Sequence, residues 1–202
     1  MANFELMQSI KTKWNAEIAS ACSTSATSSS VPSPGIPAAF VAALIANESG
    51  GDPNAKRFEK GVLASLWEVL LGRKAAFGSI ATKDLIQFVA NLSNIPPVTP
   101  QSLPSDAFQR LDSLATSWGL TQIMGYEAIA FRSTVAALQA PDTELVITLK
   151  MLAQFASRFG LDVTKDFSQL FDCWNSGRPH APTADPQYIP NGLERMQLWT
   201  SI

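Results

Sequence analysis

The chain has 202 residues, of which 46% are hydrophobic and 16% are charged, and its formal net charge is −2. This length and hydrophobic content are enough for one sizeable domain with a buried core. The lysines and arginines are scattered along the chain, which argues against a basic surface for nucleic acid. No apolar run reaches the ~18 residues that would predict a membrane-spanning helix.

The first predicted element is a helix over residues 4–22, whose apolar side chains recur at helical spacing. A Ser/Thr/Pro-rich loop is predicted to follow at residues 23–34. We expect residues 1–36 to pack on a main domain formed by residues 37–202. Cys22 and Cys173 are far apart in the sequence, and two unpaired cysteines in the core are favoured over a disulfide.

The next predicted helix ends on a glutamate. Residues 36–46 form an alanine-rich apolar run typical of a buried helix, and Glu48 follows directly before Ser49, Gly50 and Gly51. Burial raises the pKa of a carboxylic acid. A protonated acid held over a cleft is what cleavage of a glycosidic bond requires. The alternative is that Glu48 merely ends a helix and lies in water.

Helical patterns continue along most of the remaining chain. We predict about eight to ten helices and an all-α fold, with at most a small hairpin near the site, because alternating β patterns are lacking. Gly72 is expected to close one helix, Ser105 to cap another, and Asn191 to start the last. The predicted helices cover residues 62–71, 82–92, 105–116, 142–158 and 164–175, with one or two helical pieces within 125–140 and a short last helix from 191. The main loops are predicted at residues 94–104 and 177–190.

A second informative segment runs from Ser117 to Gly125. Gly119 permits a close backbone approach or a positive φ. Trp118 offers a flat apolar face with a donor at its edge, and Gln122 can hydrogen-bond either the backbone or a sugar N-acetyl group. For each of these residues alone, packing in the core is the favoured interpretation.

Three segments occur in a fixed order: Glu48-Ser49-Gly50-Gly51, Gly119-Leu120-Thr121-Gln122-Ile123-Met124 and Trp174-Asn175-Ser176-Gly177. This order resembles the lysozyme-like superfamily of peptidoglycan-cleaving enzymes, including its lytic transglycosylases. Arg57-Phe58-Glu59 and Ser117-Trp118-Gly119 are similar to the N-acetylmuramidase domain of phage endolysins. The resemblance covers residues 37–177. It implies an all-α, lysozyme-like helical domain of the goose-type lysozyme or lytic transglycosylase kind, with an inserted helical segment.

The resemblance also implies roles for individual residues. Glu48 would be the general acid that protonates the oxygen between N-acetylmuramic acid and N-acetylglucosamine. A hydrolase of this kind usually has a second carboxylate. Glu59 is the chosen candidate over Asp52, and a salt bridge of Glu59 with Arg57 or a neighbouring lysine is the alternative. The saccharide cleft would be lined by Ser117, Trp118, Gly119, Gln122, Tyr126, Trp174 and Asn175.

Two departures from the family pattern leave other functions open. Thr121 replaces a methionine, and Trp174 replaces a tyrosine, so the phenol that steadies the acid in lytic transglycosylases is expected to be missing. A lytic transglycosylase, which needs no second carboxylate, is one alternative to the muramidase. A non-catalytic peptidoglycan-binding protein and a helical adaptor unrelated to sugar are the others.

The expected partner is the glycan strand of peptidoglycan, with neither nucleic acid nor an integral membrane segment involved. No cofactor or metal is predicted, since His180 is the only histidine. The N-terminus lacks the basic and apolar regions of a secretory signal peptide. We therefore expect a protein that acts in the cell wall or periplasm as a phage-type lysin, as cargo of a secretion system, or as a fragment of a longer precursor.

Overall fold

The computed structural model describes residues 2–24, 35–78, 80–90 and 103–202. The chain divides into two compact units: Met1–Pro53 together with Pro141–Ile202, and Asn54–Ala140. The N-terminal helix therefore belongs to the same unit as the helix that ends at Glu48, and the middle of the chain forms a unit of its own.

The described residues are 64% helix and 7% strand, which confirms an all-α class. Their nine helices are α1 (Ala2–Thr24), α2 (Ala38–Glu48), α3 (Lys60–Leu70), α4 (Thr82–Ala90), α5 (Ala107–Leu114), α6 (Gly125–Ala130), α7 (Pro141–Phe159), α8 (Phe167–Ser176) and α9 (Tyr188–Ser201). A 3₁₀ helix covers Ala136–Gln139. The short strands are β1 (Lys56–Phe58), β2 (Ala76–Phe77), β3 (Ile80–Ala81), β4 (Thr116–Trp118) and β5 (Ile123–Met124).

Helix α2 is the centre of the first unit. Every residue from Ala39 to Ala46 is buried, because the helix is apolar on all faces and must be surrounded by other helices. The ring of Phe40 lies 4.5 Å from that of Phe171 on α8. Gly192 lets α9 approach the same ring, since a Cβ there would lie 2.6 Å from Phe171 Cζ. The prediction of a buried helix before Glu48 is confirmed.

Helix α1 packs on α2, α7 and α9. Its buried stripe consists of Met7, Ile10, Ile18 and Ala21. Lys11 Nζ donates to the carbonyl of Trp199 at 2.9 Å, near the end of α9. Cys22 is half-buried and Cys173 buried, and both are unpaired, so the expectation of two free thiols is confirmed.

The second unit combines α3 to α6 with two small sheets. Strands β1, β4 and β5 form an antiparallel sheet in that order, with Arg57 opposite Ser117 and Ser117 opposite Met124. A hairpin of β2 and β3 is separate from it. Strands β4 and β5 thus form a tight hairpin that is followed at once by α6.

Several predicted boundaries are wrong by a few residues. Helix α9 begins at Tyr188 and not at Asn191, because Pro190 is accommodated in its first turn, where a proline N–H is not needed. Helix α5 begins after Asp106, so Ser105 does not cap it. Helix α8 begins at Phe167 and not at residue 164, because Asp162, Thr164 and Asp166 bond one another in a preceding turn.

The closing glycine Gly72 has a φ of 70° just after α3, as expected. The predicted loop at residues 23–34 lies outside the described residues except for its first two, which belong to α1. The loop at 94–104 is likewise outside them except for its last two residues. In the described ranges, no helix has the length and apolar character needed to cross a membrane.

Candidate active site

Glu48 is the last residue of α2 and is half-buried. The helix stops there because Gly50 and Gly51 both adopt left-handed φ values, 62° and 85°, that a helix cannot continue through. The hydroxyl of Ser49 accepts the N–H of Gly51 at 3.1 Å, which tightens the turn. A carboxyl group is thereby placed at the end of a buried helix and next to a rigid Ser-Gly-Gly turn.

Helix α1 packs against the turn that follows Glu48. The indole Nε1 of Trp14 donates to the carbonyl of Gly51 at 3.0 Å. A Cβ on Gly51 would lie 3.1 Å from Cγ1 of Ile10, so the backbone and α1 approach closely at this point. Helix α1 lies outside the family resemblance, yet it packs directly against the segment that carries the candidate acid.

Tyr188, the first residue of α9, donates its phenol O–H to Oε1 of Glu48. Tyr188 is only 8% exposed, and the side-chain amide of Asn47 donates to the backbone carbonyl of Tyr188 at 2.9 Å. Burial, followed by the charge of Glu48, raises the pKa of the Tyr188 phenol far above its ordinary value. The phenol therefore stays protonated and holds one carboxyl oxygen of Glu48 in a defined direction.

A second set of hydrogen bonds supports the residue next to the acid. Arg195 on α9 donates from Nη1 to Oδ1 of Asn47 and from Nε to Oδ1 of Asn3, the latter at 3.1 Å. Burial lowers the pKa of the Arg195 guanidinium, which is still charged at neutral pH. Helices α1, α2 and α9 are thus joined by polar contacts around the C-terminal end of α2.

Trp174 and Asn175 lie near the end of α8, in the same unit as Glu48. Trp174 is half-buried and Asn175 exposed, and Gly177 ends the helix with a φ of 76°. The expectation that the site lacks a phenol, because Trp174 replaces tyrosine, is wrong. The phenol comes from Tyr188 on α9, a residue that lies within the loop predicted at residues 177–190.

The second unit contains Gln122, which is fully engaged by the fold. Its Nε2 donates to the carbonyls of Ala55 and Gly119, both at 3.0 Å. Its Oε1 accepts the hydroxyl of Ser117 at 2.8 Å. Of the two roles considered for this amide, bonding to the backbone is the one that the structure describes. The amide ties the β4–β5 turn to the chain before β1, and Gln122 itself has a left-handed φ of 57°.

Glu59 follows β1 and pairs with Arg57, whose Nε lies 2.6 Å from Oε1. The side chains are 36% and 75% exposed, so this ion pair is at the surface and contributes little to stability. This ion pair is the salt bridge that was predicted as the alternative to a catalytic role for Glu59.

Trp118 and Tyr126 also direct their donors to the protein. The indole Nε1 of Trp118 donates to the carbonyl of Ser113 at 2.9 Å. Tyr126 meets the ring of Phe77 edge-on at 5.3 Å. Burial and then the neighbouring Glu127 raise the pKa of the Tyr126 phenol. Burial also raises the pKa of Glu127, which the phenol of Tyr126 partly opposes.

The predicted site residues are divided between the two units. Glu48, Trp174 and Asn175 belong to the first unit, and the remaining six belong to the second: Glu59, Ser117, Trp118, Gly119, Gln122 and Tyr126. Tyr188 and Arg195 were missed because nothing in their local sequence marks them. A helix start placed at Tyr188 would have shown that both lie on α9.

No group of three or more histidine, cysteine, aspartate and glutamate side chains suited to a metal ion occurs in the part of the chain that the structure describes. His180 is exposed and has a left-handed φ of 58°, and its N–H donates to Oδ2 of Asp172 at 3.0 Å. Comparisons of the chain with protein-family models, curated proteins and solved structures find no match.

Proposed function

We propose that this protein is an N-acetylmuramidase that cleaves the β-1,4 bond between N-acetylmuramic acid and N-acetylglucosamine in peptidoglycan. The observation that carries the proposal is the hydrogen bond from the buried phenol of Tyr188 to the carboxyl group of Glu48. A glutamate that merely ends a helix in water needs no buried donor from a helix far along the chain. A glutamate that must present its proton in one direction needs such a donor, because the donor fixes the orientation of the carboxyl group.

Glu48 would act as the general acid. Its carboxyl proton passes to the glycosidic oxygen as the bond from that oxygen to the anomeric carbon breaks. Positive charge develops on the anomeric carbon as this bond breaks. The oxygen of a water molecule then bonds to that carbon, and the proton that the water loses passes to a carboxylate. General acid catalysis of this kind contributes about two to four orders of magnitude in rate. Trp174 and Asn175, which lie in the same unit as Glu48, would contact the glycan strand.

A lysozyme-like fold is part of the same proposal. A mostly helical chain, a candidate acid at the end of a buried helix, and a small antiparallel sheet that begins a few residues later are consistent with it. The place of action would be the cell wall, where the substrate is found.

A lytic transglycosylase is the second candidate. Glu59 is the candidate second carboxylate of a hydrolase, and its Oε1 lies 2.6 Å from Nε of Arg57. A transglycosylase needs no such group, because the 6-hydroxyl of the substrate closes a 1,6-anhydro ring. The ion pair between Glu59 and Arg57 is the observation that favours a transglycosylase as the second candidate.

The test is mass spectrometry of the soluble fragments released from purified sacculi. Wild type is compared with Glu48→Gln, and Glu5→Gln on the exposed side of α1 is the matched control. We expect wild type and Glu5→Gln to release muropeptides at equal rates, and Glu48→Gln to be slower by about two to four orders of magnitude.

The masses separate the candidates. Fragments with a reducing end indicate hydrolysis, and fragments lighter by one water indicate the 1,6-anhydro product of a transglycosylase. Equal release by wild type and Glu48→Gln would rule out Glu48 as the acid. Binding of wild type to sacculi without release of fragments would show a non-catalytic peptidoglycan-binding protein.

A further inference from the structure

An open pocket of about 770 Å³ lies within the second unit, between α4, α5 and α6. This volume is in the range of small-molecule and peptide sites. The lining combines three charged groups, two hydroxyls, an amide and two apolar side chains, and consists of Asp84, Gln87, Phe88, Arg110, Ser113, Ile129, Arg132 and Ser133. The function proposed for Glu48 uses none of these residues.

The two arginines of the pocket differ in what they already bind. Arg110 is held by Asp106, to which Nε and Nη2 are each 2.8 Å distant, and its Nη1 donates to the carbonyl of Phe88 at 3.3 Å. Its charge is therefore offset within the protein. Arg132 is exposed, and its side chain makes no ion pair with any of the residues that the structure describes. It is the positive charge that the pocket offers to a ligand.

The backbone at Arg132 is in an unfavourable conformation for an arginine. Arg132 has a φ of 53°, in the left-handed region, and it follows the end of α6 with its N–H on the carbonyl of Ile129 at 3.0 Å. Glycine is the usual residue at this position after a helix, because it adopts positive φ without strain. Strained residues of this kind cluster at binding sites, where the side chain has a use.

The charges that line the pocket define the ligand. Arg132 is positive, Asp84 is negative, and Phe88 and Ile129 provide apolar surface. A polyphosphate needs several cations, whereas Arg110 is already paired with Asp106 and Asp84 adds a negative charge. A short peptide fits better, because it has a carboxylate for Arg132, amides for Gln87 and the serines, and apolar side chains for the two walls.

We propose that this pocket binds a short peptide through a carboxylate held by Arg132. This inference rests on the proposed function for the identity of that peptide: it is the stem peptide that peptidoglycan carries on N-acetylmuramic acid. The second unit would then recognise the peptide of the cell wall, while Glu48 in the first unit acts on its sugar.

The test is isothermal titration calorimetry of the full chain with the tetrapeptide L-Ala-γ-D-Glu-L-Lys-D-Ala. The variants are Arg132→Gly and Arg132→Gln, and the control is Arg73→Gln. Arg73 is an exposed arginine of the same unit that pairs with Glu68 and does not line the pocket. We expect wild type and Arg73→Gln to bind equally and both Arg132 variants to bind about tenfold more weakly or worse, because a charge-assisted bond is lost.

Arg132→Gly separates a loss of binding from a loss of folding. Relief of the positive φ is expected to raise the melting temperature by about 2–4 °C while binding is lost. A peptide in which both carboxylates are amidated, the α-carboxylate of the γ-linked D-Glu and the C-terminal one, should bind more weakly to wild type. An all-L peptide of the same composition distinguishes a cell-wall peptide from peptides in general, and equal affinity for it would overturn the assignment to the stem peptide.

Absence of tetrapeptide binding at millimolar concentration, or binding that Arg132→Gly leaves unchanged, would overturn the proposal. Fragment release from sacculi that depends on Glu48 would still stand in that case. Conversely, tetrapeptide binding that depends on Arg132, with no fragment release by wild type, would retain the peptide pocket and contradict the proposed glycosidase.

Discussion

Glu48 and Tyr188 affect each other: burial and then the carboxyl group raise the pKa of the phenol, and the phenol orients the carboxyl group. The phenol is buried beside a carboxyl group, so its pKa is raised and its proton remains in place to be donated. The carboxyl group, at the end of a helix and before two glycines, gains a fixed orientation from that donor. Tyr188 is therefore a positioning residue for the proposed acid.

The change Tyr188→Phe removes this hydrogen bond and little volume. We expect the rate of sacculus lysis to fall about 10- to 100-fold, because a carboxyl group with a wider range of orientations is less often aligned with the glycosidic oxygen. The initial loss of turbidity of a sacculus suspension measures this rate across the pH range. Thr200→Val, which removes an exposed hydroxyl from the same helix α9, serves as control. A wild-type rate and pH profile for Tyr188→Phe would contradict the positioning role.

At the scale of elements, close approaches at glycine set where helices begin and how near they come. Helix α6 starts at Gly125 directly against the end of α5: a Cβ on this residue would lie 2.1 Å from the carbonyl oxygen of Ser113 and 2.9 Å from Cα of Leu114. Both obstacles are backbone atoms, so the clash cannot be relieved by moving a flexible side chain. The start of α6 therefore depends on this glycine.

Gly125→Ala should destabilise the protein by about 3 kcal/mol or more, because either α5 or α6 must shift. The same change at Gly61, in the first turn of α3, meets no atom within 4 Å. We expect Gly61→Ala to be neutral or to stabilise by up to ~1 kcal/mol, because alanine loses less backbone entropy in a helix. Urea unfolding of both variants measures the two free energies. Similar losses at both sites would show that the packing of α6 on α5 is not the cause.

For the whole molecule, the two tyrosines link stability to pH. Tyr126 and Tyr188 are the only tyrosines, one in each unit, and burial raises the pKa of both. Tyrosines in the unfolded chain lose their protons near pH 10. Above that pH the unfolded state binds fewer protons than the folded state, so the free energy of unfolding falls as pH rises.

The contribution of both phenols should therefore be present below about pH 10 and decline above it by up to ~2.7 kcal/mol per pH unit. Urea unfolding at a series of pH values between 8 and 12 measures the slope. The double variant Tyr126→Phe and Tyr188→Phe should make this slope shallower. A slope that is the same in the double variant would mean that other groups cause the alkaline loss of stability.

Local sequence determined much of the secondary structure of this protein. The apolar run before Glu48, the glycines after it, and the apolar spacing in α1 and α7 predicted their helices, since these signals act between residues a few positions apart. The same signals were insufficient at α9, where Pro190 suggested a loop although proline is tolerated in a first helical turn. The likeness to lysozyme-like enzymes stays a prediction of the motifs.

The sequence by itself determined the helical class and the place of Glu48 at the end of a buried helix. It also indicated the pairing of Glu59 with Arg57, as an alternative to a catalytic role for Glu59. Only the tertiary structure decided that Tyr188 bonds Glu48, that Gln122 is committed to the carbonyls of Ala55 and Gly119, and that Arg132 lines a pocket. Tyr188 and Glu48 are 140 positions apart in the chain. Contacts over such separations depend on how helices pack, and helical periodicity reports only which face is buried, not which partner covers it.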